Sequence, residues 1–414
     1  MVSIHSLVKS IDMSESSRLL NSDILLSILS ISTTKTATSI METCRFLYHE
    51  GAKVVLQQPV IFDELDSEEK TLSLLRFLQA EDLSRCSYVR ALHVLTDPLS
   101  DSAAKVLVDI VPHMSTLVLL CLKGEQSLVA YPDLLSVFAS LRSLKVLWMI
   151  EVGAQSCEMI RALQSELVTA SIQFNPTGQF GPGLDPSQSF IASRHPLQLL
   201  QRSASTLQEL MCWFWCDAYI QVEDMFALPQ SIYPEVRTLI LCNATPPSPI
   251  AYLNALPNVT HLAVERCRTI IGDYVLLGMA HAQRQVNLML QNLTLNYDPD
   301  MLVWKNIQTY VGPLSDLWAL GITFPIPQLT VSDVPGIRAP RALTEVLAYA
   351  RPSDLVIAFE DQPLTSVLQS DFLDALRSEG AADLRSLRVM VDVMAGDVDR
   401  TLDVGQAMVS PPLA

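Results

Sequence analysis

Residues 259–267 read VTHLAVERC, which matches the pattern LxxLxLxxC if Val is allowed at the Leu positions. The first six positions of this pattern, written (L/V)xxLx(L/V/I/M/C), recur along most of the chain. Most copies follow one another after 23 to 31 residues, and weaker copies at 167 and 353 fall inside two longer gaps. A period of about 28 residues is typical of a stacked repeat. The copies begin at Val89, Leu117, Leu144, Leu207, Val236, Val259, Leu290, Leu317 and Leu384.

A helix-like apolar stretch precedes most copies, as in DLLSVFASLRSLKVLWM (133–149) and IAYLNALPNVTHLAV (250–264). This helix-then-strand order resembles degenerate leucine-rich repeats, in which most units lack the usual Asn or Cys at the ninth position. One strand and one helix cannot bury their apolar faces alone, so such units stack into one continuous core. The resemblance therefore implies an α/β fold in which a curved solenoid of about ten helix/strand units follows a short N-terminal helical module.

The sequence also predicts how the chain is divided. We expect an N-terminal tail at 1–17, a helical module at 18–62, the repeat domain at 85–392 and a C-terminal tail at 393–414. The stretch FNPTGQFGPGLDPSQS (174–189) is rich in Pro and Gly and breaks the repeat period, which predicts an insertion loop. The stretch TFPIPQLTVSDVPGIRAP (323–340) indicates an extended connector.

We call the specified positions of the repeat pattern its template positions. Alternation along each strand sends these positions into the core and the residues between them to the concave face of the sheet. Aromatic and aliphatic residues dominate these outward positions in the first half of the array, and polar residues in the second half. Trp is enriched at binding hot spots, which makes this face a candidate site for a protein partner. The alternative is that loops or the C-terminal segment cover it. The candidate partner-binding residues are Trp148, Met211, Trp213, His261 and Glu265.

Three short helices are predicted near the N-terminus. Apolar residues recur at helical spacing from Leu20 to Leu29, which indicates the first helix. Ser39 and Glu42 have the spacing of a capping box for the second, and Gly51 suits the position that ends it. The stretch 52–58 predicts a third helical stretch, which ends before Pro59. Three such helices bury too small a core to stand firmly alone, which indicates a docking module.

The stretches LLNSDILLSILS (19–30) and METCRFLYHEG (41–51) resemble the F-box, whose pattern is a Leu/Ile-rich first helix followed by a Cys-Arg pair with an aromatic residue and Leu close behind. The chain thus resembles F-box-like proteins with degenerate leucine-rich repeats, of the fungal type. The resemblance implies binding to the Skp-type adaptor of cullin ubiquitin ligases. It also implies that Cys44 is a small buried packing residue and Arg45 the polar residue on the exposed side of its helix. The implied core and adaptor-binding positions are Leu20, Ile24, Leu25, Ile28, Leu29, Met41 and Cys44.

Composition and charge exclude several classes of partner. The chain is 49% hydrophobic and 17% charged, which indicates a large buried fraction. The net charge of −16 argues against a nucleic-acid partner, because such binding needs clustered Lys and Arg. The sequence contains no run of 18 apolar residues, so no membrane span is predicted, and charged residues interrupt any signal-peptide core. We therefore expect no membrane partner, a cytoplasmic or nuclear location, and eight reduced Cys.

Motifs for chemistry are missing from the sequence. Cys212 and Cys216 lie four residues apart beside Asp217, but no second pair at ligand spacing follows, so structural thiols are the favoured interpretation. The seven His are scattered, GQFGPG (178–183) lacks the residues of a phosphate-binding loop, and no GxSxG occurs. We therefore predict no catalytic residue, no metal and no cofactor.

Three functions remain open from the sequence. The resemblance implies a non-catalytic adaptor that binds a Skp-type protein, and through it a cullin ligase, and captures an unknown protein substrate on the repeat array. The alternative is a leucine-rich-repeat scaffold whose N-terminal helices only cap the solenoid and bind no adaptor. An enzyme would need converging titratable groups in a pocket, and the sequence indicates none.

Overall fold

The computed structural model describes residues 22–175, 194–214, 231–243, 250–266, 282–289, 304, 306–322, 324–332, 340–359 and 370–391. The chain divides into two compact units, one formed by residues 1–93 and 100–118 and the other by residues 94–99 and 119–414. The predicted tails at 1–17 and 393–414 lie outside the described residues, as does nearly all of the predicted loop at 174–189. The bounds predicted for the domains stay predictions.

The first unit is mainly helical. Three of its helices begin at a Ser or Thr, namely Thr33, Ser67 and Ser100, whose side-chain oxygen accepts a hydrogen bond from the backbone N–H three residues later. Such a cap satisfies one of the donors that a helix start leaves free. The elements are α1 (Ser22–Ile31), α2 (Thr34–Met41), α3 (Arg45–Val55), β1 (Val60–Phe62), α4 (Glu68–Gln79), a 3₁₀ helix (Ser84–Tyr88), β2 (Ala91–Val94, whose last residue falls in the second unit), α5 (Asp101–Ile110) and a 3₁₀ turn (Val111–His113).

Helices α1, α2 and α3 share a small core of their own, formed by Leu29, Ala37, Met41, Leu47 and Ala52. The first predicted helix corresponds to α1. The predicted second helix, from Ser39 to Gly51, instead spans the end of α2, a break and most of α3, and the predicted third helix at 52–58 begins inside α3. The Thr-rich stretch before Ser39 is itself helical, because Thr33 caps it.

Gly51 lies inside α3 rather than at the end of a helix. A Cβ atom at Gly51 would lie 2.8 Å from Met41 Cγ and 3.0 Å from Leu29 Cδ1. The glycine therefore serves the close packing of three helices, and its predicted role as a helix terminator was wrong.

A buried arginine ties α3 to α4 and the 3₁₀ helix that follows. Arg85 is fully buried, and its guanidinium lies 4.2 Å from the ring centre of Phe77 and 4.4 Å from that of Tyr48. It donates a hydrogen bond to Glu81 Oε1 at 2.6 Å, and the same oxygen contacts His49 Nδ1. Burial alone would raise the pKa of Glu81, but the hydrogen bonds from Arg85 and His49 outweigh it and lower that pKa.

The second unit contains ten parallel strands among its described residues, and each pairs with the next one along the chain. Parallel neighbours require a crossover connection, and helices supply most of these. The strands are β3 (Leu119–Lys123), β4 (Val146–Val152), β5 (Thr169–Phe174), β6 (Glu209–Trp213), β7 (Thr238–Asn243), β8 (His261–Arg266), β9 (Thr309–Pro313), β10 (Gln328–Ser332), β11 (Asp354–Phe359) and β12 (Ser386–Val391). The helices are α6 (Glu125–Ala130), α7 (Pro132–Ala139), α8 (Ala154–Ala162), α9 (Pro196–Leu199), α10 (Ile250–Ala255), α11 (282–289), α12 (Leu314–Leu320), α13 (Pro340–Ala350) and α14 (Ser370–Leu376), with 3₁₀ turns at Gln201–Ser203 and Glu379–Ala381.

The template positions form the core of this sheet. Leu210, Leu239 and Leu262 lie side by side in the ladders of β6, β7 and β8, and each is at most 1% exposed. Leu120 and Leu147 do the same in β3 and β4. The prediction of an α/β fold with stacked helix/strand units, as in a leucine-rich-repeat solenoid, is confirmed.

Two strands were misplaced by the sequence pattern. The copy that begins at Leu317 lies in α12 rather than in a strand, and the segment at 323–340 contains β10 rather than only a connector. The core positions before β9 and β10 are filled by Ile307 and Ile326, which are 1% and 0% exposed. The template required Leu or Val there, although Ile fills the same space. The copy at Leu290 lies outside the described residues.

In the second unit, acidic side chains connect one helix/strand repeat to the next. Glu125 accepts hydrogen bonds from the backbone N–H groups of Gly153, Gln155 and Ser156, each at 3.0 Å, at the start of α8. It also accepts one from the Ser156 hydroxyl at 2.6 Å. Asp97 makes the same kind of contact with the first turn of α6. A carboxylate at this place satisfies free helix donors and opposes the positive end of the helix dipole.

We expect Glu125→Ala to lower the free energy of unfolding by about 2 to 3 kcal/mol, because three backbone donors and one hydroxyl lose their acceptor together. Urea unfolding followed by Trp fluorescence measures the change. Glu158→Ala is the matched control. Glu158 is an exposed residue of α8, the helix whose start Glu125 caps, and its substitution should change stability by less than about 0.5 kcal/mol. Equal effects of the two substitutions would contradict the capping role of Glu125.

Candidate protein-binding surface

The strands of the second unit have a face whose side chains alternate with the buried ones, and we call it the outer face. Because the strands pair in register, equivalent side chains line up in rows that cross the sheet. The middle row consists of Cys121, Trp148, Ser171, Met211, Ile240, Ala263, Val311, Thr330, Val356 and Arg388.

The middle row is mostly apolar and crosses nine strands before it reaches Arg388. Trp148 and Val311 are 38% and 43% exposed, and Met211, Ile240 and Val356 are half-buried. Eight strand spacings of about 4.8 Å give the row a length of roughly 38 Å from β3 to β11. The middle row thus stays mostly apolar in the second half of the array, whereas the outward positions on either side of it are mainly polar there, as the sequence predicted.

The rows on either side differ from each other, because the first row is mainly polar and the third row is mixed. The first row holds the residues two positions before the middle row: Leu119, Val146, Thr169, Glu209, Thr238, His261, Thr309, Gln328, Asp354 and Ser386. The third row holds those two positions after it: Lys123, Ile150, Gln173, Trp213, Cys242, Glu265, Pro313, Ser332, Ala358 and Met390. The apolar strip thus has a mainly polar margin on one side and a mixed one on the other, and a polar rim around an apolar centre is common in protein interfaces.

The outer face is negatively charged from β6 to β11. On these six strands the three rows contain Glu209, Glu265 and Asp354 but no Lys or Arg. Glu265 accepts a hydrogen bond from the Cys242 thiol at 3.4 Å, and Asp354 accepts one from the Ser353 hydroxyl at 2.8 Å. Within the part of the chain that the structure describes, the donors to these two carboxylates are neutral groups.

The five predicted partner-binding residues all lie on the outer face. Trp148 and Met211 share the middle row, Trp213 and Glu265 share the third row, and His261 belongs to the first row. Their binding role stays a prediction. The repeat pattern did not indicate Val311 and Val356, the middle-row residues of β9 and β11. The pattern requires Leu or Val at the first core position of a repeat, where these two repeats have Ile307 and Pro352.

Helix α1 has two apolar faces. Leu29 is fully buried in the core of the three helices, and Leu25 packs partly against that core. Ile24, Ile28 and Ile31 recur at intervals of four and three residues on the other side, with exposed fractions of 51%, 39% and 85%. An exposed stripe of three Ile on one short helix is typical of a surface that meets another protein.

The remaining predicted adaptor-binding residues differ in their surroundings. Met41 is buried in the three-helix core, whereas Leu20 lies outside the described residues. Cys44 is exposed, so its predicted burial was wrong. It has extended backbone angles and precedes α3 as its N-cap, because the helix begins only at Arg45. Arg45 is exposed as predicted.

Neither a cluster of metal ligands nor a buried thiol with a lowered pKa is found among the described residues. They include no group of three or more His, Cys, Asp or Glu that could hold a metal ion. Burial raises the pKa of Cys86 and Cys121 to about 11 and that of Cys157 to about 12, so these thiols stay protonated and unreactive at neutral pH. Cys212 is buried, and Cys216 lies outside the described residues. None of the described helices has the length and apolar composition needed to cross a membrane.

Comparison with known proteins finds little sequence similarity. No protein-family profile matches the chain, and no curated protein matches it. Among solved structures, it is similar to the leucine-rich-repeat-containing protein LegL7 from Legionella pneumophila, with 11% identity and a TM-score of 0.40, over 79% of this chain and 93% of that chain. A likeness of this size carries no argument about function. The repeat architecture rests on the strand order and register of the chain itself.

Proposed function

We propose that this protein is a non-catalytic adaptor that recruits a protein substrate to a ubiquitin ligase of the Skp/cullin/F-box type. Helices α1 to α3 bind the Skp-type adaptor, and the outer face of the second unit binds the substrate, in the cytoplasm or the nucleus. The chain itself performs no chemistry. It raises the effective concentration of one protein near another.

The exposed Ile stripe of α1 is the observation that carries the adaptor half of this proposal. The three helices already have a core in Leu29, Met41 and their neighbours, so Ile24 and Ile28 are left for another contact. Ile28 and Cys44 are both exposed, so their side chains are accessible to an adaptor protein.

The outer face supports the substrate half. Its middle row provides an apolar strip with Trp148 near one end, and the mainly polar first row borders it on one side. Such a strip offers a partner more apolar area than scattered surface residues do, and its polar margin sets orientation. Repeat arrays in general present extended binding surfaces of this kind.

We expect Ile28→Asp to weaken binding of the purified chain to a Skp-type adaptor by roughly 10- to 100-fold while the chain stays folded. Desolvating one Ile contributes about 1.5 to 3 kcal/mol, and Asp at that place would bury a charge. Calorimetric titration measures the affinity, and circular dichroism checks the fold. The neighbouring Leu29→Asp places a carboxylate in the core and should instead unfold α1 to α3.

Leu65→Asp is the control for this titration, because Leu65 is 92% exposed in the same unit but lies outside α1. Its affinity should equal that of the wild-type chain. If a folded wild-type chain shows no saturable binding, the adaptor half of the proposal is overturned. The scaffold alternative would then remain, with the outer face as the only binding surface proposed.

A further inference from the structure

We infer that the outer face between β6 and β11 binds an amphipathic α-helix of the partner protein, with an apolar stripe and basic residues along its sides. The inference rests on the proposed function, since it names the kind of protein segment that the substrate half of the surface accepts. The spacing of the middle row, the pairing of the strands and the charge of the bordering rows lead to it.

The spacing of the middle row fits a helix. The row advances by one strand, about 4.8 Å, from one apolar side chain to the next. A helix lying along the row returns its apolar stripe once per turn, every 5.4 Å or so, whereas an extended chain repeats the same side only every 6.6 to 6.8 Å or so. A helix therefore stays closer to the row over several strands. The five spacings from β6 to β11 require about 16 helical residues.

The relief of the row also suits the side chains of a helix. Ala263 stands between the larger Ile240 and Val311, which leaves a recess over β8. The three residues are half-buried or exposed, so their tips form the floor and the sides of that recess. A Leu or Phe from a helix fills such a place in the way that side chains of packed helices fill the gaps of their neighbours.

The hydrogen bonding of the sheet disfavours an extended peptide on this face. Each strand from β6 to β11 is paired with a neighbour on both sides, so its backbone donors and acceptors are already used in the ladders. An extended peptide gains most of its affinity from backbone hydrogen bonds at a sheet edge, and it would forgo them here. A helix satisfies its own backbone and brings only side chains to the surface.

The bordering rows determine the charge of the helix. Glu209 and Asp354 lie on one side of the apolar row and Glu265 on the other, with no Lys or Arg in these rows from β6 to β11. Arg237 lies one residue before β7, and it faces Glu235 at 3.8 Å. Lys and Arg on both sides of the helix's apolar stripe would oppose these carboxylates. The face thus selects a basic amphipathic helix.

A designed peptide tests this inference. The probe is a fluorescein-labelled helix of about 18 residues with Leu at i, i+3, i+4 and i+7 and Lys on both sides of the stripe. We expect saturable binding to the full chain with a micromolar dissociation constant. A peptide of the same composition with alternating Leu and Lys, which favours an extended chain, should bind at least about 10-fold more weakly. The same helix with Glu in place of Lys should do likewise.

Variants of the chain locate the binding. Val311→Asp should weaken binding of the helical peptide by at least about 10-fold, because it places a charge in the middle of the apolar row. Val129→Asp is the matched control, since Val129 is 61% exposed on α6, and it should leave the affinity unchanged. Glu209→Gln together with Asp354→Asn should weaken binding about 3- to 10-fold and reduce its dependence on salt.

The outcomes separate this inference from the proposed function. If the alternating peptide binds as tightly as the helical one, and Val311→Asp weakens it, the face still binds protein but the helix is refuted. If none of the peptides binds, or if Val311→Asp and Val129→Asp behave alike, the inference is overturned. The titration with a Skp-type adaptor uses another surface and keeps its own result in each case.

Discussion

Gly312→Ala is expected to lower the free energy of unfolding by at least about 3 kcal/mol. Gly312 has a φ of +153°, a backbone conformation that residues with a Cβ rarely adopt. A Cβ built there lies 2.3 Å from the backbone oxygen of Val264. That oxygen belongs to the neighbouring strand β8, so it can move away only if two strands separate.

The position of Gly312 explains why the effect should be large. The pairing of β8 and β9 ends at Ala263 and Val311, immediately before the place where the two backbones come closest. A shift of β9 would also move Tyr310, which is fully buried and donates a hydrogen bond to the Pro313 carbonyl. Strain at one residue is thus transmitted to a packed core that does not deform easily.

Gly124→Ala provides the control for this measurement. Gly124 has a φ of −159°, and a Cβ there would lie 2.9 Å from Leu122 Cδ1 and 3.1 Å from Leu122 Cγ, with no backbone atom as close. Leu122 is buried, but its side chain can shift without separating two strands, so we expect a smaller cost of about 1 kcal/mol. All five Trp lie in the second unit, so Trp fluorescence during urea unfolding reports on both substitutions. Equal shifts for Gly312→Ala and Gly124→Ala would contradict the backbone clash.

The stacked architecture could be predicted from the sequence because the core positions of each unit have a fixed spacing. Leu147 and Leu210 lie where the template placed them, and both are fully buried. The template failed where another apolar residue filled the same space, as Ile307 and Tyr310 do before and in β9. A core selects for volume and apolar character, so a template written for Leu and Val misses units that are equally well packed.

The boundaries of the N-terminal helices could not be predicted in the same way. Ser39 and Glu42 have capping-box spacing, but Thr33 begins α2 earlier and Ser39 lies within it. Gly51 has the composition of a helix end, yet it lies in the middle of α3 against Leu29 and Met41. Tertiary packing overrode these local signals for a helix start and a helix end, and such packing cannot be deduced from the sequence of one helix alone.

The candidate binding surface was only half predictable. Alternation within one strand sufficed to point Trp148 and His261 outward. Their membership of different rows depends on the register between strands, which is set by sheet pairing and not by the sequence of either strand alone. The charge of the surface therefore became visible only when Glu209, Glu265 and Asp354 were placed around one apolar row.

Arg85→Ala is expected to destabilise the first unit by about 3 to 4 kcal/mol. The substitution removes a fully buried side chain from between the rings of Phe77 and Tyr48, and it leaves a cavity there. It also deprives Glu81 of its cation, so that the lowered pKa of this carboxyl should rise. Hydrogen exchange of the α3 and α4 amides measures the loss, because the Trp of the second unit would not report it.

Arg85→Met separates the two contributions of the arginine. Met fills most of the space between the rings but makes no hydrogen bond to Glu81, so it should recover about half of the stability that Arg85→Ala loses. The remaining half should depend on pH in the wild-type chain. Because the folded-state pKa of Glu81 is lowered, its contribution is complete above the unfolded-state pKa of Glu and is lost as the pH falls through the folded-state value. If Arg85→Met proved as stable as the wild type at neutral pH, Arg85 would act through packing alone, and the contact of Glu81 with Arg85 and His49 would contribute nothing to holding α3 against α4.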